Sequence, residues 1–150
     1  MKDLVSHIVT KAKLKGACDL INLYDSIEDL YKLLFSPQGR EFCQMHNFPG
    51  HNLWKLIKRR YDIKSFNIFI DEGEVALSYA HTATFIGKTK ARINCFGSKN
   101  RYQIQVQHGA SVEINARDYA VVVILNIGKG NRISINKDNT SIILWEGISH

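Results

Sequence analysis

The chain has 150 residues, of which 45% are hydrophobic and 23% charged, and its formal net charge is +6. This length allows one domain or two very small ones, and it is sufficient for a core without disulfides or metal. The longest apolar run, residues 120–125, is too short for a membrane-spanning helix, and no secretory signal is expected. The three cysteines, Cys18, Cys43 and Cys95, are odd in number, which favours a reducing compartment such as the cytoplasm.

Apolar residues recur at helical spacing over the first 60 residues, which predicts about four short helices. Ser26 and Ser36 suit N-cap positions, and Pro37 suits the first position of a helix. Pro49 and Gly50 predict a break between two helices. The apolar stripes are Leu4, Val5, Ile8, Val9 and Ala12, then Ile27, Leu30, Tyr31, Leu33 and Leu34, and finally Leu53, Leu56 and Ile57.

Beyond residue 65 the apolar period changes to two, which indicates strands. Strands are predicted at 66–70, 82–86, 88–94, 102–106, 110–115, 119–127, 131–136 and 141–144. The acidic residues Asp71, Glu72 and Glu74 around Gly73 are expected to form a solvated turn. The change of period divides the chain into a helical domain, 1–62, and a β domain, 63–150.

The β domain contains a 21-residue repeat, because Ile93-Asn94, Ile114-Asn115 and Ile135-Asn136 recur at that spacing. A constant spacing of inward-facing residues is typical of stacked coils. The expected fold class is therefore α+β, with an N-terminal helical cap followed by a short parallel β-helix (β-solenoid) of about three 21-residue coils. The other aligned sets are Ala91, Val112 and Ile133, then Phe85, Val106 and Ile127, then Ala83, Ile104 and Leu125.

The repeat also assigns faces. Arg92 is expected to lie over Glu113 as an exposed ion pair, and the repeated asparagines are expected to form a hydrogen-bonded column at a corner that tolerates left-handed backbone. A second face is expected to stack Thr82, Gln103 and Ile124, with Thr84, Gln105 and Asn126 beside them.

The sequence gives only weak evidence for catalytic or metal-binding groups. Cys43, His46 and His51, with Cys18 as a fourth ligand, match no strong zinc spacing, so no metal and no cofactor is expected. The histidines of the β domain have no carboxylate at a helpful spacing. The basic turn 128–131 lacks the spacing of a phosphate-binding loop, although its backbone amides could bind an anion. The protein is therefore expected not to be an enzyme.

Several segments of the chain together resemble a set of small uncharacterised proteins from gut bacteria and their phages or mobile elements. The segments are Phe35-Ser36-Pro37-Gln38-Gly39-Arg40-Glu41-Phe42-Cys43, Asn47-Phe48-Pro49, Gln107-His108-Gly109-Ala110, Ile114-Asn115-Ala116 and Tyr119-Ala120-Val121-Val122. This resemblance implies an intracellular or phage-encoded protein, in the host cytoplasm or in a virion. It supplies no activity and no functional residue.

These patterns predict a non-enzymatic binding or scaffold protein that engages a partner through a solenoid face or an open end. The partner would be a protein or a small polar or anionic ligand, in a virion, in attachment or in interference with host defence. An open end also predicts a homo-oligomer, and no membrane partner is expected. The expected binding residues are Gln103, Gln105 and Asn126 on one face, and Lys88, Lys90, Arg92 and Arg132 on a neighbouring one.

A second hypothesis is based on the basic cluster at the domain junction. Lys58, Arg59 and Arg60 lie beside Trp54 and Tyr61, a mixture of cations and aromatic rings that nucleic-acid surfaces use. The alternative function is therefore binding of nucleic acid or of an anionic nucleotide by this junction and by the turns of the β domain. Cations at the C-terminal end of a helix are also favoured by the helix dipole alone.

Overall fold

A computed structural model describes residues 2–17, 26–78, 80–97 and 101–146. The chain forms two compact units, Met1–Tyr61 and Asp62–His150. Over the described residues, the first unit contains four α-helices and the second contains nine strands in two parallel sheets. None of the helices in this part of the chain has the length and apolarity to cross a membrane.

The helices of the first unit begin at the positions that their capping residues predict. Helix α2 begins after Ser26, whose Oγ accepts a hydrogen bond from the Asp29 amide at 3.1 Å. Helix α3 begins after Ser36, whose Oγ accepts from the Gly39 amide at 3.1 Å, with Pro37 in its first turn. These N-cap predictions are confirmed. The helices are α1 at Lys2–Leu14, α2 at Ile27–Leu34, α3 at Pro37–His46 and α4 at His51–Arg60.

The second unit begins with a short 3-10 helix at Ile63–Phe66, which leads into the strands. The strands are β1 at Ile68–Ile70, β2 at Gly73–Ser78, β3 at Thr82–Ile86, β4 at Thr89–Phe96, β5 at Arg101–Gln107, β6 at Ser111–Arg117, β7 at Val121–Ile127, β8 at Arg132–Lys137 and β9 at Ile142–Glu146. Odd-numbered strands form a five-stranded sheet, β1-β3-β5-β7-β9, and even-numbered strands form a four-stranded sheet, β2-β4-β6-β8.

The predicted helical cap with a three-coil parallel β-helix is wrong. The strands instead lie in two parallel sheets with alternating strand order, which together with the helices give an α/β fold. The coil prediction assumed one constant spacing, but Ile68 pairs with Thr84 at a spacing of 16 residues and Ile104 pairs with Ile124 at a spacing of 20. A recurring apolar pattern reports which residues share a face, and it does not fix how the strands are distributed between sheets.

The 21-residue spacing does describe the register in part of the four-stranded sheet. Ile93 pairs with Ile114, and Ile114 pairs with Ile135. In the five-stranded sheet the same spacing holds between β3 and β5 and is lost between β5 and β7. Gln103 therefore pairs with Val123, not with Ile124, and Gln105 pairs with Leu125, not with Asn126. The predicted stacks Gln103–Ile124 and Gln105–Asn126 are wrong by one residue.

Strand β2 was not expected, because its segment contains the acidic residues of the predicted turn. Residues Gly73–Ser78 pair in parallel with β4. The outward side chains of β2 are exposed, whereas Val75 and Leu77 pack against the core. Glycine, alanine, serine and glutamate have low strand propensity, so the segment depends on pairing with β4 for its conformation.

Inward-facing residues of both sheets form one shared core. Ile93, Ile104, Ile114 and Val106 are each 0–1% exposed. The rings of Phe69 and Phe85 stack with their centroids 5.7 Å apart. Because the two sheets contribute to one apolar cluster, their opposite faces point away from it. The outward face of the four-stranded sheet is largely exposed, whereas Thr84, Gln105 and Leu125 on the outward face of the five-stranded sheet are at most 3% exposed.

Side-chain hydrogen bonds in the turns connect neighbouring strands. Asp138 Oδ2 accepts a hydrogen bond from the Asp118 amide at 3.0 Å, and its Oδ1 accepts from the Thr140 hydroxyl at 2.8 Å. These bonds, the first of them most strongly, hold the pKa of the Asp138 carboxyl well below its usual range. Asn131 links another pair of turns, because its Oδ1 accepts from the Gly109 amide at 2.7 Å and its Nδ2 donates to the Ile127 carbonyl at 2.8 Å.

Candidate ligand-binding groove

The outward face of the four-stranded sheet forms a groove of about 890 Å³. Side chains alternate along a strand, so every second residue of β2, β4, β6 and β8 points outward, and some of these outward side chains line the groove. We call this surface the sheet groove. The side chains that line it from the outward positions are Glu74, Ala76, Lys90, Arg92, Ser111, Glu113, Arg132 and Ser134.

Parallel register arranges the outward side chains of the sheet in three rows that cross the strands; the first two rows line the groove, and the third lies beside it. The first row is Glu74, Lys90, Ser111 and Arg132; the second is Ala76, Arg92, Glu113 and Ser134; the third is Ser78, Asn94, Asn115 and Asn136. Neighbouring strands lie about 4.8 Å apart, so adjacent members of a row are within side-chain contact. The chemistry of the groove follows from what each row carries.

The second row is internally neutralised. Arg92 Nε lies 3.1 Å from Glu113 Oε2, which confirms the predicted ion pair between these two residues. Both side chains are partly exposed, and an exposed pair of this kind contributes about 0–1 kcal/mol to stability. Its main effect on the groove is to remove one positive and one negative charge from those available to a ligand.

The third row is a hydrogen-bonded ladder. Asn94 Nδ2 donates to Ser78 Oγ at 3.3 Å, Asn115 Nδ2 donates to Asn94 Oδ1 at 3.1 Å, and Asn136 Nδ2 donates to Asn115 Oδ1 at 3.2 Å. The predicted asparagine column is therefore confirmed. Its residues lie within the strands, and none of them has the left-handed backbone that was expected. The bonds all run in one direction, which leaves the ladder with a distinct beginning and end.

The first row carries the net positive charge of the groove, because it holds two cations, Lys90 and Arg132, and one carboxylate, Glu74, which lies next to Lys90 in register. Lys90 and Arg132 lie on either side of Ser111, about 10 Å apart across two strand spacings. Within the described ranges neither cation forms an ion pair, and both side chains are exposed. The short Ser111 side chain leaves room between them. A carboxylate, sulfate or phosphate group placed there would meet a hydroxyl and two cations.

The remaining predicted binding residues lie elsewhere. Lys88 is exposed and precedes β4, outside the groove lining. Gln103 is on the five-stranded sheet, and Gln105 there is only 3% exposed, so it offers little surface to a ligand. Asn126 accepts a hydrogen bond from Asn131 Nδ2 at 2.7 Å. The structure thus brings together three predicted residues, Lys90, Arg92 and Arg132, and separates them from the polar residues of the other sheet.

The basic cluster of the alternative hypothesis lies at the end of the helical unit. Lys58, Arg59 and Arg60 occupy the last turn of α4 and are exposed, whereas Trp54 is 2% exposed. A buried tryptophan cannot stack on a base. The cations also lie where the helix dipole favours positive charge.

Glu74 and Ala76 are groove residues that the sequence prediction missed. They were assigned to or beside a solvated turn, although Val75 and Leu77 alternate with them in the pattern of a half-buried strand. This alternation over Glu74–Ser78 is the sequence signal for strand β2. The acidic residues at its start favour a turn instead, which is why the strand was missed.

Metal coordination is absent from the described part of the chain, where no three His, Cys, Asp or Glu side chains come together to hold an ion. Cys43 and Cys95 are free and buried, and Cys18 lies outside the described residues. Burial raises the pKa of the Cys43 thiol from 9.0 to about 12, and it raises that of Cys95 by the same amount. Neither thiol is ionised near neutral pH, so neither is an activated nucleophile.

Both described thiols should therefore resist modification in the folded protein. With Cys18→Ser to remove the third cysteine, we expect Ellman's reagent at pH 8 to modify the native protein at least about tenfold more slowly than the protein in guanidinium chloride. Because the unfolded thiols ionise first as the pH rises above 9, the free energy of unfolding should also fall between pH 9 and pH 11. Rapid native modification of one thiol would contradict its burial.

No known protein family, no curated protein and no solved structure matches this chain.

Proposed function

We propose that this protein is a non-enzymatic binding protein whose ligand lies in the sheet groove and carries carboxylate, sulfate or phosphate groups. The observation that supports this proposal best is the first row, where Lys90 and Arg132 flank Ser111. Charged groups that have no ion pair in the described structure, and that converge on one groove, favour a ligand of opposite charge.

The rest of the groove favours a ligand that is also rich in hydroxyl groups. The third row presents amide groups on the sheet face beside the groove, and Ser134 adds a hydroxyl within the lining. Amide and hydroxyl side chains both donate and accept hydrogen bonds, as sugar hydroxyls do. No aromatic side chain is among the described residues that line the groove, so stacking of nucleic-acid bases has no platform there. An acidic oligosaccharide fits this combination.

The groove chemistry supports binding over catalysis. Its described lining contains neither histidine nor cysteine, and the Ser111 hydroxyl lies between two cations, Lys90 and Arg132. Glu113 is held by Arg92 at 3.1 Å. The side chains present can orient and neutralise a ligand.

Isothermal titration calorimetry with a heparin hexasaccharide, which carries sulfates, carboxylates and hydroxyls, tests this function. We expect binding to weaken at least about tenfold in Lys90→Glu, and equally in Arg132→Glu, because each reversal places a carboxylate beside the anion site. The matched control is Arg59→Glu on helix α4, which makes the same charge change and should leave binding within about twofold. Affinity should fall as salt is raised from about 50 to 200 mM.

The proposal fails if the hexasaccharide does not bind at low salt, or if Arg59→Glu weakens binding as much as the groove variants do. A parallel titration with a single-stranded oligonucleotide separates the alternative. Oligonucleotide binding that is lost in Arg59→Glu and retained in Lys90→Glu would assign the function to the basic end of α4.

We also propose that the protein resides in the cytoplasm of a cell or of a phage host. Cys43 and Cys95 are free thiols on separate buried positions, which suits a reducing compartment.

A further inference from the structure

Strands β8 and β9 are the last strands of their sheets and lie at the same end of the shared core. Each pairs on one side only within the described residues, so their outer backbone groups are open to a further strand. Large apolar side chains are exposed here, with Trp145 at 53% and Leu144 at 43%. Natural edge strands usually carry charges or prolines that block pairing. Strand β8 carries Arg132 and Lys137, whereas the outward side chains of β9 before Glu146 are the apolar Ile142 and Leu144.

The asparagine ladder presents a hydrogen-bond acceptor on the open edge of β8. Its bonds run from β8 towards β2, so the ladder begins at Asn136, whose Oδ1 lies on the open edge. No described residue donates to this oxygen. If β8 pairs antiparallel with another β8 in the register centred on Ser134, Arg132 lies opposite the partner's Asn136, and the guanidinium can donate to it. In that register Ile133 also meets the partner's Ile135.

Strand β9 is self-complementary in the same way. In an antiparallel pair centred on Leu144, Ile143 lies opposite the partner's Trp145 on the side that faces the core. Ile143 already packs against the core of its own unit. Glu146 lies opposite the partner's Ile142, so no charge meets a like charge. In each sheet the pairing has a two-fold axis perpendicular to the sheet.

We propose that two copies of this protein associate end to end through β8 and β9, in a symmetric dimer that extends both sheets. The rotation keeps the outward face of each four-stranded sheet on the same side, so the two sheet grooves join across the β8 strands. The partner's Arg132 then adds a cation to each groove. The contribution of this extra cation to ligand binding rests on the proposed function. The association of the two copies does not.

Charge placed at the self-paired position tests this interface. Leu144 lies opposite the partner's Leu144, so we expect Leu144→Lys and Leu144→Glu each to weaken dimerisation at least about tenfold in sedimentation equilibrium. Mixing the two variants should restore a dimer, because lysine then lies opposite glutamate. Met45→Lys, at a side chain that is 60% exposed on helix α3, is the matched control and should dimerise like the unmodified protein.

A monomeric unmodified protein at about 100 μM would overturn the proposal. So would Leu144→Lys that dimerises normally, or mixed variants that stay monomeric. The failure of the proposed function is distinguishable, since Lys90→Glu should lose hexasaccharide binding and keep the dimer. Leu144→Lys should instead lose the dimer while the monomer still binds the hexasaccharide.

Discussion

Replacing Ile114 by alanine should lower the free energy of unfolding by about 2–5 kcal/mol. Ile114 is fully buried, and it pairs in register with Ile93 on one side and with Ile135 on the other. Alanine would leave a cavity at the centre of the core that both sheets share. Neighbouring β-branched side chains on rigid paired strands have little freedom to fill it, so the cost should lie above that of an average core truncation.

Urea denaturation followed by far-ultraviolet circular dichroism measures this loss. The matched control is Tyr119→Ala, because Tyr119 is 65% exposed in the turn between β6 and β7 and its truncation should change stability by no more than about 0.5 kcal/mol. A loss below about 1 kcal/mol for Ile114→Ala would show that the residue is not at the centre of the core.

Replacing Gly39 by alanine should destabilise the helical unit by about 1–3 kcal/mol. A Cβ at this position would overlap the Leu33 carbonyl oxygen and meet main-chain atoms of Leu34. These atoms belong to the end of helix α2, and the same Leu33 carbonyl accepts a hydrogen bond from the Ser36 hydroxyl that caps α3. Backbone cannot move aside as a flexible side chain can, so α2 and α3 must separate.

Trp54 reports this effect, because it is buried in helix α4 of the same unit. In a Trp145→Phe background its fluorescence should show a lower urea midpoint for Gly39→Ala. Gln38→Ala, one residue earlier and exposed, is the control and should leave the midpoint unchanged. Equal midpoints for the two variants would mean that the approach of α3 to α2 is looser than the structure shows.

Local structure was predictable from the sequence where one residue has one strong preference. Ser26 and Ser36 are N-caps as expected, because a side-chain hydroxyl is the ordinary partner of a free amide in the first helical turn. The alternation of Ile93, Ile114 and Ile135 with polar neighbours correctly identified inward and outward faces. It also placed Arg92 beside Glu113.

The architecture was not predictable in the same way. The distribution of strands between two sheets depends on turns whose lengths differ, so the register slips from 21 to 20 residues between β5 and β7. Lys90, Arg92 and Arg132 were predicted as binding residues and share the sheet groove, and they are three of the eight outward side chains that line it. Glu74 was missed because β2 has low intrinsic strand propensity and is stabilised by pairing that is distant in sequence.

The residues with the clearest pattern in the sequence are not those that we propose to recognise the ligand. The asparagines donate to one another along their row and Arg92 pairs with Glu113, so these side chains already have protein partners. Lys90 and Arg132 have no such partner among the described residues, and they retain their charge for a ligand. The difference lies in hydrogen-bonding partners, which a single sequence does not show.

Nuclear magnetic resonance of the backbone amides, recorded while heparin hexasaccharide is added to the unmodified protein, locates the ligand directly. We expect the shift changes to concentrate in β4, β6 and β8, with the largest at Lys90, Ser111 and Arg132, and the odd-numbered strands to remain unchanged. Shift changes centred on residues 58–60, or on the outward face of the five-stranded sheet, would contradict the assignment of the groove as the binding surface.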